Sequence, residues 1–362
     1  MGFDDKSQEE ADALFRVEPY TSEYEQEWDR FVLCESVNGT FLQSRNFLNY
    51  HPKERFCDAS FLVYCKGKLA AVCPACRIEE GGKRILYSHR GSTFGGIVIG
   101  QDFYTAQKVL QIVQAADSYC QKEYDRVVLK NTANLFCAEK GELLEYMLGY
   151  CGYRSYAELS TYIDLEQTEA DVTRGFDRNK KRNIAKCEEH GLYFRELEGA
   201  EEIRDFHALL TINLSKYGVT PVHTAEELIE FYTERIPDNV KFYGVFDNET
   251  GRETGKETGK EKMLAAGMLF SFQKTKTLHA QNLSADYRFT QFSPVTYLYY
   301  KVIACAKAQG YQYLSWGIST EQEGTQLNMG LIRNKESYGS RYDLNRTFIK
   351  DYAKAKTDVS AD

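Results

Sequence analysis

Phe292–Gly317 has the sequence FSPVTYLYYKVIACAKAQGYQYLSWG, and this stretch decides the fold of the second half of the chain. Ser293 is a favourable N-cap residue and Pro294 suits the first helical position, so the pattern predicts a helix over Ser293–Gln309. Tyr313–Ile318, which follows, has the composition of a strand, and so does Thr277–Ala285, which precedes the helix. The stretch therefore predicts a strand–helix–strand unit.

The same order of elements occurs in both halves of the chain. Each half shows a strand, a helical region, three strands joined by hairpins, a helix and a last strand. The other predicted strands are Phe15–Tyr20, Ala59–Lys66, Leu69–Glu79, Arg84–Ser88, Arg126–Lys130, Thr161–Leu165, Leu192–Leu197, Val240–Asp247 and Met263–Gln273. The other predicted helices begin at Ser22 or lie at Tyr104–Lys122, Glu142–Tyr150, Glu201–Lys216 and Thr224–Arg235. This repeat predicts an α/β fold (α+β, with mixed sheets) in two tandem domains, 1–165 and 166–362.

Composition limits the classes of function. A chain of 362 residues is longer than a domain with a single hydrophobic core usually is, which also favours two domains. The formal net charge of −8 argues against general coating of nucleic acid. The sequence has no apolar run long enough for a membrane span, and its acidic start, MGFDDKSQEE, is unlike a signal peptide. We therefore expect a cytoplasmic protein.

The 10 cysteines are scattered, which fits reduced thiols better than a disulfide framework. Cys73 and Cys76 form a CxxC pair, but a zinc site needs a second pair of ligands and the sequence has no other CxxC or HxxxH. Because the stretch is predicted as a strand, we expect buried free thiols and no metal.

Glu249–Lys262, ETGRETGKETGKEK, is a repeated tetrapeptide between two predicted hairpin strands. Glycine, threonine and charges of alternating sign predict a flexible hairpin tip without a function of its own. We expect deletion of Glu249–Lys260 to leave folding and ligand binding intact, because the cost of loop closure changes slowly with length.

A basic stretch, TRGFDRNKKRNIAKCEEHG at Thr173–Gly191, contrasts with the acidic chain. Arg174, Arg178, Arg182 and Lys186 recur every four residues and form one stripe of a helix, with Lys181 beside it. One interpretation is a solvated face paired with nearby acids such as Glu188. The other is a phosphate clamp made by Arg178, Lys181 and Arg182, since arginine pairs with phosphate through two hydrogen bonds.

Several motifs over nearly the whole chain resemble one family. They are TFLQSRNFLNYH, YSHRG at Tyr87–Gly91, DRNKKRNIAKCEEHGL, KYGVTPVHTAEELIEFY, the Phe292–Gly317 stretch and LIRNKESYGSR. Together with the order of elements, they resemble tandem GNAT acyltransferases of the Fem type and the FemAB-like acetyltransferase-domain proteins. Asn334 and Tyr338 stand where the closing motif of the family has phenylalanines. The second half also lacks a predicted long helical hairpin, which aminoacyl-tRNA-dependent members often carry.

The resemblance implies an active site in the second half. Lys335 would lie between the two substrates and bind a phosphate or stabilise charge on the acyl oxygen. Asn282 and Ser284 lie on the strand that splays to admit the acyl group, and Asp286 or Glu321 would take a proton through water. The expected catalytic residues are thus Lys335, Asn282 and Asp286. The acceptor-binding residues would be Arg178, Lys181, Arg182, Tyr217, Arg90 and Tyr338.

The loop Asp286–Pro294 corresponds to the GNAT loop that binds the CoA pyrophosphate, but it has no glycine. Arg288, Gln291 and Ser293 would have to supply its donors. The glycine-rich stretch HRGSTFGG, at the corresponding place in the first half, is better explained by close packing of strands than by ligand binding.

The sequence predicts an N-acyltransferase that acts on an amine of a cell-envelope precursor or a similar phosphate-linked acceptor. The donor would be acyl-CoA or aminoacyl-tRNA, with tRNA a partner only as donor. No covalent nucleophile is indicated, and the oligomeric state stays open. The alternative is a non-catalytic module that binds an anionic glycan or peptide, which the glycine-free loop favours. Sequence-specific binding of nucleic acid depends only on the basic helix, and the net charge argues against it.

Overall fold

The structure, a computed structural model, describes residues 14–52, 54–216, 218–247 and 261–352. The chain divides into two compact units. The first contains the described residues up to Glu158 and those from Leu344 onward, and the second is Leu159–Asp343. Both are mixed α/β, as predicted. The repeated tip at 249–262 lies almost wholly outside the described residues, as does Tyr217.

The strands up to the boundary of the first unit are β1 (Phe15–Pro19), β2 (Cys57–Asp58), β3 (Phe61–Cys65), β4 (Lys68–Cys73), β5 (Cys76–Glu80), β6 (Lys83–Ser88), β7 (Val98–Ile99), β8 (Arg126–Lys130) and β9 (Arg154–Asp164). β1, β3, β4 and β7 form an antiparallel sheet in the order β1-β3-β4-β7. A second sheet has the order β2-β5-β6-β8, and within it β6 and β8 run parallel.

The α-helices of the first unit are α1 (Glu25–Arg30), α2 (Arg45–Leu48), α3 (Ala106–Cys120) and α4 (Glu142–Tyr150). α3 crosses from β6 to the parallel strand β8, which is the usual connection for a parallel pair. Its predicted inner face, Val109, Ile112, Val113 and Ala116, is buried in the core. Burial of this stripe against the sheet is what holds the helix in place.

The predicted strand Leu69–Glu79 is in fact two strands, and the two belong to different sheets. Pro74 and Ala75 separate β4 from β5, since proline lacks the N–H that a continuous ladder needs. Cys73 and Cys76 flank this break as buried free thiols. Burial raises the pKa of the Cys73 thiol to about 12, so Cys73 is an inert core residue.

The strands of the second unit that follow β9 are β10 (Tyr193–Glu196), β11 (Val240–Asp247), β12 (Lys262–Phe272), β13 (Thr277–Ala285), β14 (Tyr313–Ile318), β15 (Thr320–Glu321) and β16 (Gln326–Leu327). They form a sheet in the order β10-β11-β12-β13-β14, continued by residues 160–164 of β9, and a separate β15–β16 hairpin. All pairs in the larger sheet are antiparallel except β13 with β14.

The α-helices of the second unit are α5 (Arg178–Glu189), α6 (Gly199–Ser215), α7 (Ala225–Glu230), α8 (Pro294–Ala308) and α9 (Met329–Glu336). The predicted basic helix is α5, and the predicted helix at Ser293–Gln309 is α8. α8 packs on the sheet through Leu298, Val302 and Ile303, which are fully buried. α9 was not predicted from the sequence.

A last strand, β17 (Arg341–Asp351), was also not predicted. It begins in the second unit, but its residues 347–351 pair antiparallel with β8 of the first. The Lys350 ammonium bonds the Asp117 carboxylate and the Cys151 carbonyl, and the Tyr352 hydroxyl donates to Asp117 at 2.6 Å. The sequence-based division at 165/166 assigned this segment to the second domain, whereas these contacts place it in the first unit.

Candidate active site in the second unit

The parallel strands β13 and β14 part within the sheet of the second unit. They pair only at Thr277–His279 with Tyr313–Ser315, after which β13 continues beside β12 and β14 continues beside β9. A β-bulge lies just past this point, since Asn282 pairs with Met268 and Ala280 with Leu269, which leaves Gln281 as the extra residue. A bulge bends its strand and often occurs beside active sites. The two strands thus open a cleft where a substrate group can enter the sheet.

His279 and Ser315 form the last pair before the strands part. The His279 Nδ1 atom lies 3.1 Å from the Ser315 hydroxyl oxygen. Burial, helped by the nearby positive charge of Lys335, lowers the pKa of His279 to about 4, so the imidazole is neutral at physiological pH. Gly317 follows with a φ of +70°, and a Cβ atom there would lie 3.3 Å from the His279 ring. The neutral ring and the glycine therefore shape the start of the cleft together.

Lys335 lies on α9 and is buried, with only 3% of its surface exposed. Its ammonium donates to the carbonyls of Gly317 and Ile318, both at 2.9 Å, and to the Ser319 hydroxyl at 2.8 Å. Burial lowers its pKa to about 8. Lys335 is therefore not a surface lysine. It fixes the end of β14, and all three N–H donors have a protein acceptor.

Lys180 is a residue that the sequence analysis counted only as part of the basic stretch. Its ammonium donates to the Asn334 side chain at 2.7 Å and lies 4.7 Å from the centre of the Tyr338 ring. Burial lowers the pKa of Lys180. Asn334 stands where the family motif has phenylalanine, and this departure is the one feature of the sequence that bears on the contact, although it does not identify Lys180 as the partner. The pair joins α5 to α9, next to Lys335.

The three predicted clamp residues, Arg178, Lys181 and Arg182, are all exposed on α5. The Lys181 ammonium donates to the Arg174 carbonyl at 3.3 Å, and Arg174 pairs with Glu169. Within the described part of the chain, no carboxylate pairs with Arg178 or Arg182, and Glu188 lies near Lys301 instead. The predicted stripe is therefore wrong at Arg174, which lies before α5 in the 3₁₀ turn Val172–Gly175 and pairs with Glu169. Arg178 and Arg182 form a free cationic face of α5.

Asp286 begins the loop before α8. Its carboxylate accepts from the Arg288 backbone N–H at 3.0 Å and from the Arg288 guanidinium at 2.7–3.2 Å. The hydrogen bonds from the Arg288 side chain lower the pKa of this carboxyl. A carboxylate held in this way is a poor proton acceptor, so the geometry favours a structural cap. Glu321, the other predicted proton acceptor, is exposed and accepts from Asn328 at 3.2 Å.

The loop itself is a 3₁₀ turn over Tyr287–Phe292. Ser293 is the N-cap residue of α8 with a φ of +52°, and Pro294 is the first helical residue. Several amides are used inside the loop, since Phe289 N–H donates to the Asp286 carbonyl and Ser293 N–H to the Thr290 carbonyl. Gln291 is exposed. Arg288 is exposed as well, but Asp286 holds it.

The remaining predicted residues differ in their surroundings. Tyr338 is buried and stacks on Tyr299 with ring centres 4.9 Å apart, so it is a core residue beside Lys180. Asn282 is half-buried on β13, next to the bulge. Arg90 is exposed in the first unit. The structure therefore places Lys335 at the end of β14, beside the cleft, whereas Lys180 contacts Asn334 and Tyr338.

The comparisons with known proteins fit this geometry. Residues 174–323 match the family model described as the acetyltransferase (GNAT) domain. This segment, which contains β13, α8, β14 and the cleft, is similar to GNAT acetyltransferase domains, and the predicted acyltransferase class is confirmed at that level. No curated protein sequence matches the chain.

Solved structures show the fold of the whole chain. FemX is similar with a TM-score of 0.67 at 13% identity, over 93% of this chain and 97% of that one. A tandem GNAT protein from the clavulanic acid biosynthesis pathway has a TM-score of 0.53 at 8% identity, over 94% and 99%. L-PGS from Bacillus licheniformis has a TM-score of 0.53 at 11% identity, over 78% and 82%. The predicted FemAB-like tandem GNAT fold is thus confirmed.

Among the helices that the structure describes, none has both the length and the apolar composition to cross a membrane. The described residues also contain no cluster of potential metal ligands.

Proposed function

We propose that this GNAT-type acyltransferase moves an acyl group from acyl-CoA to the primary amine of a phosphate-linked acceptor such as a cell-envelope precursor. The observation that supports the proposal most is the parting of β13 and β14 beside the buried cation Lys335. The acyl group enters the cleft, and the amine attacks its carbonyl carbon. A C–N bond forms, the C–S bond breaks, CoA leaves as the thiolate, and the amine proton passes to water.

Lys335 is proposed to stabilise the charge that develops on the acyl oxygen. Its N–H groups already have acceptors, so in this arrangement it acts through its positive charge and through the position of Gly317 and Ile318. A charge in a buried site acts more strongly than one in water, because the surroundings screen it less. Asn282, on the bulged strand, is proposed to border the acyl group.

Acyl-CoA is proposed as the donor because the described residues of the second unit include no extended helical arm for a tRNA. The longest helix in the described part of that unit, α6, has 17 residues. The loop Asp286–Pro294 would carry the CoA phosphates, with Arg288, Gln291 and Ser293 as donors. Because internal hydrogen bonds use several amides of this loop, we expect modest affinity for CoA, with Arg288 as its main cationic contact.

A phosphate-linked acceptor is proposed from the free cationic face of α5. Arg178 and Arg182 are exposed and have no acidic partner among the described residues, so they can contact an anionic group at small cost. A similar fold occurs in a putative lysylphosphatidylglycerol synthetase, whose name denotes a phosphate-bearing product (TM-score 0.51, 14% identity). This likeness supports the proposal without fixing the acceptor.

The test is an assay of CoA release from acetyl-CoA in the presence of amino sugars, nucleotide-linked amino sugars and amino-acid amides. We expect turnover only with phosphate-linked amines. A parallel assay supplies aminoacyl-tRNA and measures the acylated product, and product formed from this donor alone would contradict acyl-CoA as the donor. Binding of an anionic glycan without any transfer from either donor would favour the non-catalytic alternative.

A further inference from the structure

The ring of His279 crosses the start of the cleft between β13 and β14. His279 lies on β13, and its Nδ1 atom is 3.1 Å from the Ser315 hydroxyl oxygen of β14. A Cβ atom on Gly317, further along β14, would lie 3.3 Å from the same ring. The ring therefore reaches from one strand to the other at the level where the two strands part.

Hydrogen bonds from both strands hold the ring in this position. On its own strand it bonds the side chain of Gln281, which is the extra residue of the β13 bulge, and on β14 it bonds Ser315. The Ser315 oxygen also accepts from the Gly317 backbone N–H at 3.3 Å. His279 is 7% exposed and Ser315 1%, so water has little access to these hydrogen bonds. Displacement of the ring would leave buried polar groups without partners, which is costly.

The sheet itself closes the cleft behind the ring. Thr277–His279 pairs with Tyr313–Ser315, so the two strands leave no gap there. Side chains alternate between the faces of a strand, so Leu278 and Leu314 point to the face opposite His279. Both are buried in the core of the second unit. A group that enters between the parted strands therefore ends at His279, because the ladder behind the ring is closed and the opposite face is packed.

The same contacts argue against His279 as the base that takes the amine proton. Burial, helped by the positive charge of Lys335, lowers the pKa of the imidazole to about 4. The ring is also engaged with Ser315 and Gln281. Such a group is a weak base for an amine, whereas a neutral ring in a fixed position can serve as a wall.

We propose that His279 determines the length of the acyl group that the cleft accepts, because its ring forms the closed end. This proposal rests on the proposed acyl transfer and deepens it. A short acyl group fits in front of the ring, whereas a longer chain has to displace it from Ser315 and Gln281. A fitted pocket that must exclude one methylene group typically changes specificity by roughly tenfold or more.

The test measures the affinity of the full chain for CoA, acetyl-CoA and hexanoyl-CoA by isothermal titration calorimetry, without an acceptor. Wild type should bind hexanoyl-CoA at least about tenfold more weakly than acetyl-CoA. In His279→Ala this difference should vanish or reverse, because the extra carbons take up the space of the missing ring. If wild type binds the two thioesters equally well, or if the variant keeps the preference, the proposal is wrong.

Proton–nitrogen NMR of the imidazole groups reads the contact directly. The chain has 6 histidines, and the signal that His279→Ala lacks belongs to His279. Acetyl-CoA should shift this signal more than CoA does, because only the acyl group reaches the ring. Equal shifts from CoA and acetyl-CoA would place the acyl group away from His279 and overturn the proposal.

Two further variants separate the loss of the ring from a change of fold. His279→Asn shortens the side chain but keeps a polar group beside Ser315, and it should relieve the penalty on hexanoyl-CoA by less than His279→Ala does. His207→Ala is the matched control, since His207 is a half-buried histidine of α6 that donates to the His223 carbonyl at 3.0 Å. It should keep the wild-type preference. An unchanged preference in a folded His279→Asn protein, or a lost preference in the control, would contradict the proposal.

The outcomes also separate this proposal from the proposed function. If none of the three ligands binds, acyl-CoA is not the donor and both proposals are wrong. If His279→Ala removes the preference for acetyl-CoA but no amine is acylated in the assay of CoA release, the proposed acyl transfer is wrong while His279 still forms the end of the cleft.

Discussion

Both units contain two parallel strands connected through a helix. The two strands stay paired in the first unit, which is called the closed copy, and they part in the second unit, which is called the open copy. In the first, β6 pairs with β8 from Ile85 to Ser88, and the Gly95 N–H continues the contact by donating to the Lys130 carbonyl at 2.8 Å. In the second, β13 leaves β14 after His279. The glycine-rich loop 90–96 fills the place in the first unit that stays open in the second. The difference indicates a structural role for this arrangement in the first unit and, under the proposed function, a role in acyl transfer in the second.

Close packing of the loop against β6 explains the glycines of the closed copy. A Cβ atom on Gly95 would lie 2.4 Å from the backbone of Ser88, so only glycine lets the loop approach β6. The Ser88 hydroxyl also accepts from the Gly96 N–H at 2.7 Å. The open copy has no glycine in the corresponding loop and instead places a buried lysine at the end of β14. The match to the GNAT family model, at residues 174–323, lies on the open copy alone.

The largest effect is expected from removal of the Lys335 cation in the open copy. Lys335→Met should lower turnover by roughly a hundred- to a thousandfold, the usual cost of losing one group that stabilises an oxyanion. CoA release under saturating donor measures it. Lys307→Met is the matched control, because Lys307 also holds two backbone carbonyls, of Leu165 and Thr168, at the far end of α8. Equal activity in the two variants would reduce Lys335 to a structural role.

The next largest effect is expected from disturbing the packing of the glycine-rich loop against β6 in the closed copy. Gly95→Ala should lower the free energy of unfolding by about 1–3 kcal/mol, because the added methyl group forces the loop away from β6. Urea unfolding measures it. Gly149→Ala is the control, since that position on α4 has open space, and it should stabilise the protein by about 0.5–1 kcal/mol. A Gly95→Ala variant as stable as the wild type would show that the loop is not tightly packed.

A smaller effect depends on pH. If the charged form of Lys335 is needed, the activity ratio of wild type to Lys335→Met should fall as the pH rises above 8, since the pKa of Lys335 is about 8. A pH series of both enzymes measures it, and a ratio that rises instead would point to a general base.

Stability should change in the opposite direction. The pKa of Lys335 is lower in the folded chain than its ordinary 10.5, so the unfolded chain binds more protons between about pH 8 and 10.5. The cost of burying the charge is fully present below pH 8 and fades over that range. The stability of wild type relative to Lys335→Met should therefore increase with pH there.

The smallest effect concerns the cationic face of the second unit. Arg182→Glu should weaken acceptor binding by about 1 kcal/mol at low salt and by less at high salt, because screening also weakens the lost attraction. Titration at two salt concentrations measures it, and the melting temperature should barely change. Arg77→Glu, an exposed arginine of the first unit, is the control. Unaltered affinity at low salt would exclude Arg182 from the acceptor site.

The elements with strong patterns were predictable from the sequence. Val240–Asp247, Thr277–Ala285, Tyr313–Ile318 and Glu142–Tyr150 were predicted with their observed bounds, because a run of strand formers or a helical stripe defines each one. The break at Pro74 was missed because the apolar pattern continues across it. α9 and β17 were missed because they are polar and depend on partners more than 15 residues away along the chain.

The candidate site was predictable in part. Lys335 and the splayed strand followed from the resemblance, and the structure places them together. The burial of Lys335, the ion pair that occupies Asp286 and the packing of Tyr338 in the core depend on tertiary contacts, which no local pattern encodes. Lys180 was missed for the same reason, since its partner Asn334 lies 154 residues later.

β17 also sets the order in which the molecule can be built. The Arg126–Asp351 ion pair joins residues 225 positions apart, and the whole second unit lies between them in the chain. A ribosome releases residues in order, so β8 waits for its neighbour until the second unit has been synthesised. The first unit to emerge is thus the last to be completed, and the edge of β8 stays without its β17 neighbour during most of synthesis.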